Sequence, residues 1–287
     1  MSKLLSPKID FIFKQIFGAE DNLDVLISFL NAVFEDAGQP LIASATLLNP
    51  FLDKDALSDK MSVLDVKART ESGMLVDIEI QLRDQHNMEK RTLFYWAKLF
   101  QGQLPEGEDY RQLHKAVTVN VLDFNYLATD RYHNTFHVHE DTTGQLLTDL
   151  LEVHFIELRK LQTLSLALEP RLIRWMLFLT TQTREGLEDL TMQDPAFRKA
   201  LTTLEFLSQD ERTRQLYEER QKGLMTYQAN VEGAREEGRE EGRKEGRKEG
   251  YENTVRKMLM AGMAIEQIVK FVDLSVEDIQ AIRDTLH

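Results

Sequence analysis

Residues 62–68 and 74–82 alternate polar and apolar side chains, and Arg69-Thr70-Glu71-Ser72-Gly73 joins them. A period of two predicts a pair of strands, each with one buried face. Val76, Ile78, Ile80 and Leu82 would point one way, and Asp77, Glu79 and Gln81 the other. On the first strand Asp65 and Lys67 share a face, opposite Leu64, Val66 and Ala68. A loop of Glu71, Ser72 and Gly73, with the glycine in the left-handed region, closes a common hairpin. That register sets Asp65 across from Glu79 and Lys67 across from Asp77.

Elsewhere the apolar spacing is mostly helical. Residues 10–37 predict helix, with Asp10 able to cap its start and Gly18 interrupting it. Residues 42–48 predict a first strand and 49–60 a polar loop. Residues 87–104 predict a helix that buries Leu93, Trp96, Ala97 and Phe100. Strands follow at 116–124, 134–140 and 149–158, then helices at 171–181 and 195–207, with a longer one from Asp210. In residues 234–250 an Arg-Glu-Glu-Gly or Arg-Lys-Glu-Gly unit recurs with a four-residue period. Its charges can pair along a helix, while each glycine costs about 1 kcal/mol relative to alanine. A solvated helical spacer results, nearly balanced in charge and so not a basic arm. Residues 254–286 predict a small helical tail, with Ser275 capping its last helix. The organisation is therefore a domain at 1–208, a charged spacer at 209–250 and a helical tail at 251–287.

Composition narrows the classes. The chain has 287 residues and no cysteine, which removes disulfides and thiolate zinc sites. No run approaches the roughly 20 apolar residues of a membrane span, and the first residues lack a signal-peptide core. The expected location is the cytoplasm, with no membrane partner. A net charge of -13 argues against coating nucleic acid by bulk attraction. It leaves room for a local basic groove with a metal that neutralises acids.

Facing carboxylates repel across a strand pair. A divalent cation between Asp65 and Glu79 would remove that repulsion, and oxygen ligands with open positions suit Mg²⁺. A plain solvated hairpin face is the competing reading. His133, His137 and His139 cluster around one predicted strand. Without a matching third ligand they read as a surface strand rather than a zinc site.

Several segments, in order, resemble one family. They are Asp10-Phe11-Ile12-Phe13-Lys14-Gln15-Ile16-Phe17-Gly18, Leu26-Ile27-Ser28-Phe29-Leu30-Asn31, Leu64-Asp65-Val66 and Val76-Asp77-Ile78-Glu79-Ile80-Gln81. Arg91-Thr92-Leu93-Phe94-Tyr95-Trp96, Gly107-Glu108-Asp109-Tyr110, His154-Phe155-Ile156-Glu157 and the Glu-Gly repeats continue the pattern. The chain resembles the Rpn recombination-promoting nucleases, often labelled transposases, of the PD-(D/E)XK nuclease superfamily.

The resemblance implies an α/β (α+β) restriction-endonuclease-like fold: a mixed central sheet flanked by helices, followed by a C-terminal helical arm. It implies a DNA endonuclease that uses Mg²⁺ or Mn²⁺ and serves recombination, DNA mobility or defence against foreign DNA. Asp65 and Glu79 would be the catalytic metal ligands. Gln81 stands where most of the superfamily has lysine, and a neutral amide can orient water but not supply charge. Lys67 could supply that charge, or could pair with Asp77. Asp10 is the acid from the first helix that could complete the site, with Glu20 as alternative and a helix cap as its plainer role. Arg91 would contact DNA phosphate or brace Glu79. The C-terminal helices would join a homodimer or larger homo-oligomer. The alternative function is a weak or inactive nuclease-fold interaction protein working through that tail.

Overall fold

The computed structural model describes residues 4–49, 65–163, 170–181, 183–191, 194–272 and 274–285. The chain divides after Tyr217 rather than after residue 208. The reason lies at the N-terminus. The Leu5 amide donates to Ser208 Oγ at 3.0 Å and the Ser6 amide to Tyr217 Oη at 3.3 Å, so the first unit keeps the chain through Tyr217.

The first unit is built on a mixed sheet of β1 (Ala45–Leu47), β2 (Val66–Thr70), β3 (Leu75–Gln81), β4 (Ala116–Leu122), β5 (His133–His139) and β6 (Leu146–Glu157). Their spatial order is β1-β2-β3-β4-β6-β5. β3, β4 and β6 run parallel, and the outer pairings are antiparallel. Parallel neighbours need a crossover. Between β3 and β4 it is α3 (Met88–Gln101). The hairpin forms in the predicted register, with Lys67 opposite Asp77 and Val66 opposite Ile78. Gly73 adopts φ +85°, and a Cβ there would lie 2.6 Å from the His114 ring, so the turn requires glycine. Residues 50–60 of the predicted loop and 62–64 of the predicted strand lie outside the described residues.

One face of the sheet is covered by α1 (Asp10–Phe17), α2 (Leu23–Asp36), α4 (Arg171–Thr180), α5 (Arg184–Thr191) and α6 (Pro195–Gln209), which build an apolar layer. Gly18 and a 3₁₀ turn at Glu20–Asn22 split the predicted helix at 10–37. An aromatic cluster fills this layer. Phe17 lies 5.4 Å from Trp175, and Trp175 stacks on Phe197 with ring centroids 4.0 Å apart.

The expectation of one buried face per strand fails on β3. Asp77 and Glu79 are as buried as Val76 and Ile78, because α3 lies over the polar face. The predicted inner face of α3 fails with it. Leu93 and Ala97 are exposed, while Thr92 is buried. The physical reason is the sheet beneath. Thr92 Oγ1 lies 3.0 Å from Thr118 Oγ1, and Asn120 Nδ2 donates to Thr92 Oγ1 at 2.8 Å. Buried Thr118 and Asn120 need polar partners, so the helix turns its polar side inward.

The histidine strand is also not a plain surface strand. His133 is buried, and it stacks on His154 of β6, also buried. Asp36 Oδ2 meets His133 Nδ1 at 2.7 Å, His133 Nε2 meets His154 Nδ1 at 2.9 Å, and His154 Nε2 meets Glu152 Oε1 at 2.6 Å. Asp36 and Glu152, when ionised, accept at the two ends of this chain. The chain of contacts ties α2 to β5 and β6, and these residues are many positions apart in sequence. His137 also points to Glu152, at 2.7 Å, and His139 is exposed.

In the second unit, α7 (Glu211–Met260) carries the glycine repeats as exposed helix. It is followed by α8 (Ile265–Ile268) and α9 (Val276–Asp284). Ser275 caps α9 in a capping box with Asp278. Val255, Ile268, Val272, Ile279 and Ile282 bury one another. Within the tail Met260, Phe271 and Val276 remain exposed. No described helix is long and apolar enough to cross a membrane.

Candidate active site

The end of β2 and the middle of β3 gather three acids on the face beneath α3. Asp65 immediately precedes β2, and continuing the observed register by one residue sets it opposite Glu79. Asp77 and Glu79 follow at alternate positions of β3. All three are buried, with Asp77 only 1% exposed.

Each acid has a different electrostatic neighbourhood. Lys67 Nζ lies 2.5 Å from Asp65 Oδ2. The Lys67 backbone faces Asp77 across the hairpin, but its ammonium bonds to Asp65, so pairing with Asp77 alone is not its role. Burial opposes the lysine charge, and the bond to Asp65 with the fields of Asp77 and Glu79 outweighs it, raising the Lys67 pKa. Glu79 Oε2 accepts from Arg91 Nε at 2.9 Å. Burial still lifts the Glu79 carboxyl above its ordinary range, against the opposing pull of Arg91 and Gln81. Asp77 has no such donor. Both of its oxygens, and Glu79 Oε1, are buried without a hydrogen-bond partner among the described residues. Burial and the adjacent Asp65 charge push the Asp77 pKa up to about 8, with Lys67 opposing.

The structure brings Asp65, Lys67, Glu79, Gln81 and Arg91 together. Gln81 is half-buried beside Glu79, two residues along the same strand face. Asp10 opens α1, and its Oδ1 accepts from the Phe11 amide at 2.9 Å, a helix-start role. Ile9 rather than Asp10 holds the capping position. Glu20 is exposed on the 3₁₀ turn.

Two residues belong to this site that sequence reasoning did not place in it. Asp77 is the third buried acid; its signal was its position on the same strand face as Glu79. Asn49 bridges the start of β2. Its Nδ2 donates to Asp65 Oδ1 at 3.3 Å and to Asp65 O at 3.2 Å, and its Oδ1 accepts from the Lys67 amide at 2.7 Å. Nothing in the local pattern distinguished it from the rest of a polar loop.

The donor set fits a hard divalent cation. Glu79 Oε1 is a buried carboxylate oxygen without a donor among the described residues, and Asp65 and Asp77 offer more oxygens on the same face. Among the described residues no group of three or more His, Cys, Asp or Glu is placed to hold a metal ion, so the protein would supply two acids, Asp65 and Glu79. A cation here would complete its shell with water and substrate oxygens, as Mg²⁺ commonly does.

Asp77 gives a stability test. A carboxyl raised from 3.8 to about 8 contributes stability that is full below about pH 4 and is lost as pH rises through about 8. Asp77→Asn removes this penalty. In EDTA the variant is expected to melt several degrees above the parent at pH 8, with the gap closing near pH 4. Equal melting temperatures at pH 8 would show that Asp77 folds without strain.

A family model described as PD-(D/E)XK nuclease family transposase matches residues 7–234. The chain belongs to that family, and its six-strand mixed sheet with flanking helices is the corresponding α/β fold. Asp65 and Glu79 therefore lie within a nuclease-type, transposase-like domain. Comparisons with curated proteins and with solved structures give no match.

Proposed function

We infer that the chain is a Mg²⁺-dependent endonuclease that hydrolyses DNA phosphodiester bonds, in recombination, DNA mobility or defence against foreign DNA. The observation that carries this reading is the group of buried acids on one sheet face, with carboxylate oxygens that have no donor among the described residues. A structural core gains nothing from such a group, since uncompensated buried charge is costly.

Asp65 and Glu79 would hold Mg²⁺ or Mn²⁺. When bound, the cation supplies charge to a phosphoryl oxygen and lowers the pKa of water. Lys67 fixes Asp65 and brings positive charge to the face where negative charge develops. This is the charge that Gln81, a neutral amide, does not supply. Gln81 can orient water by donating and accepting. Arg91 holds Glu79 Oε2, which leaves Oε1 as its free ligand atom. α3 covers the site and limits its contact with bulk water.

A second reading has one observation in its favour. Asp65 and Glu79 each already pair with a cationic side chain, at 2.5 and 2.9 Å. A non-catalytic interaction protein could keep the fold on those pairs alone, working through its tail. Self-association in either reading would use exposed apolar residues of the tail, among them Met260, Phe271 and Val276. Supercoiled plasmid incubated with the full chain separates the two readings. The nuclease reading expects nicked or linear DNA with Mg²⁺, none in EDTA, and none with Asp65→Ala. Equal conversion by Asp65→Ala and parent would defeat it.

A further inference from the structure

The inverted helix α3 leaves an unusual surface beside the acids. Its polar Thr92 faces the sheet, and Phe94 and Leu93 face solvent at 64% and 49% exposure. Apolar side chains placed outward at a site's edge mark a contact surface. Here they are interleaved with charge. Lys90, Phe94 and Lys98 follow at i, i+4 and i+8, and all three are exposed. They form one row along the helix, with successive members about 6 Å apart. The helix carries three basic residues against one acid, in a chain of net charge -13.

Tyr95 and Arg91 link the row to the site. Arg91 bonds to Glu79 at 2.9 Å, and its guanidinium lies 5.1 Å from the Tyr95 ring centroid. Tyr95 meets Phe94 edge-on at 5.6 Å between centroids. Tyr95 also sits within the field of Glu79, Asp65 and Asp77, which together with burial raises its pKa against the pull of Arg91.

We propose that the Lys90–Phe94–Lys98 row of α3 is a substrate-strand platform, on which Phe94 stacks an unpaired base while the two lysines hold flanking phosphates, so that the preferred substrate presents single-stranded DNA. The inference rests on the nuclease reading and names its substrate class. Cations spaced about an aromatic ring suit a single strand, whose bases offer free faces; a paired duplex hides them. Lys90 neighbours Arg91, which bonds to Glu79, so the row starts one residue from a side chain that touches the acids. An acidic chain gains its affinity for DNA only where positive charge is local, and α3 is such a place.

The test uses the full chain in EDTA at low salt, with fluorescence anisotropy of a labelled single strand and of the same sequence as a blunt duplex. The single strand is expected to bind more tightly. Phe94→Ala is expected to weaken single-strand binding about tenfold, with Phe94→Tyr retaining it. Lys90→Gln and Lys98→Gln are each expected to lower the salt slope for a single strand by about 0.7. Phe94 is exposed, so circular dichroism should match the parent in its variants.

Parent-like single-strand binding by Phe94→Ala would overturn the platform, as would an equal loss on duplex. A lower particle mass for Phe94→Ala in light scattering would overturn it too, since a second copy would then cover this face. The plasmid assay keeps the two readings apart. Mg²⁺-dependent cutting with parent-like binding by Phe94→Ala sinks the platform and spares the nuclease. Loss of single-strand binding in Phe94→Ala without any Mg²⁺-dependent cutting supports the platform and sinks the nuclease.

Discussion

Glu79→Gln is expected to lower Mg²⁺-dependent DNA cleavage by about a thousandfold while leaving the chain folded. The side chain keeps its size, and its amide oxygen can still accept from Arg91. What it loses is the negative charge and the carboxylate oxygen without a donor among the described residues, Oε1. Because burial already resists ionisation of Glu79, its neutral substitute should cost the apo fold little. The variant should therefore split activity from stability: cleavage collapses in the plasmid assay, and the melting temperature in EDTA holds or rises. A cleavage rate within threefold of the parent would remove Glu79 from the metal site.

The largest stability effect is expected on the opposite face of the sheet. Glu152 is fully buried, and its two oxygens receive Lys115 Nζ at 2.7 Å, His137 Nε2 at 2.7 Å, Gln39 Nε2 at 2.5 Å and His154 Nε2 at 2.6 Å. Burial alone would raise its pKa, but His154 and Lys115 outweigh burial and hold the carboxyl well below its usual range. Asp36 at the other end is lowered too, with His133 and Tyr132 outweighing its burial. Glu152→Gln leaves Lys115 and His154 facing a neutral group. Breaking a buried pair in this way costs about 3–5 kcal/mol. For a carboxyl with a lowered folded pKa, the stability is present above the unfolded value and is lost as pH falls through the folded one. Urea titrations should thus show the full loss at pH 7 and a smaller difference between variant and parent as the pH falls below about 4. A loss under about 1 kcal/mol at pH 7 would mean that the network is not a joint between α2, β5 and β6.

The parts of this molecule that could be read from sequence are those set by local spacing. The hairpin of β2 and β3 was legible because alternation and Gly73 fix its register without distant partners. Asp65, Lys67, Glu79 and Gln81 came with that register, and Arg91 came through the family resemblance. The parts that could not be read depend on what another element brings. The orientation of α3 follows from Thr118 and Asn120, residues of a strand that comes later in the chain, and its apolar spacing pointed to the wrong inner face. The His133–His154 contact joins two strands whose pairing no local pattern states, so the histidines read as a surface cluster. Asn49 is a site residue only because the chain folds back on the start of β2. In the tail α7, α8 and α9 bury Val255, Ile268, Val272, Ile279 and Ile282 against one another, a packing that local spacing does not fix.

Calorimetric titration of Mn²⁺ into the full chain, beside Asp65→Asn and Glu79→Gln, tests most directly whether these acids share one cation. A single site is expected in the parent and its loss in both variants, with both variants remaining folded. Unchanged Mn²⁺ binding in either variant would contradict it.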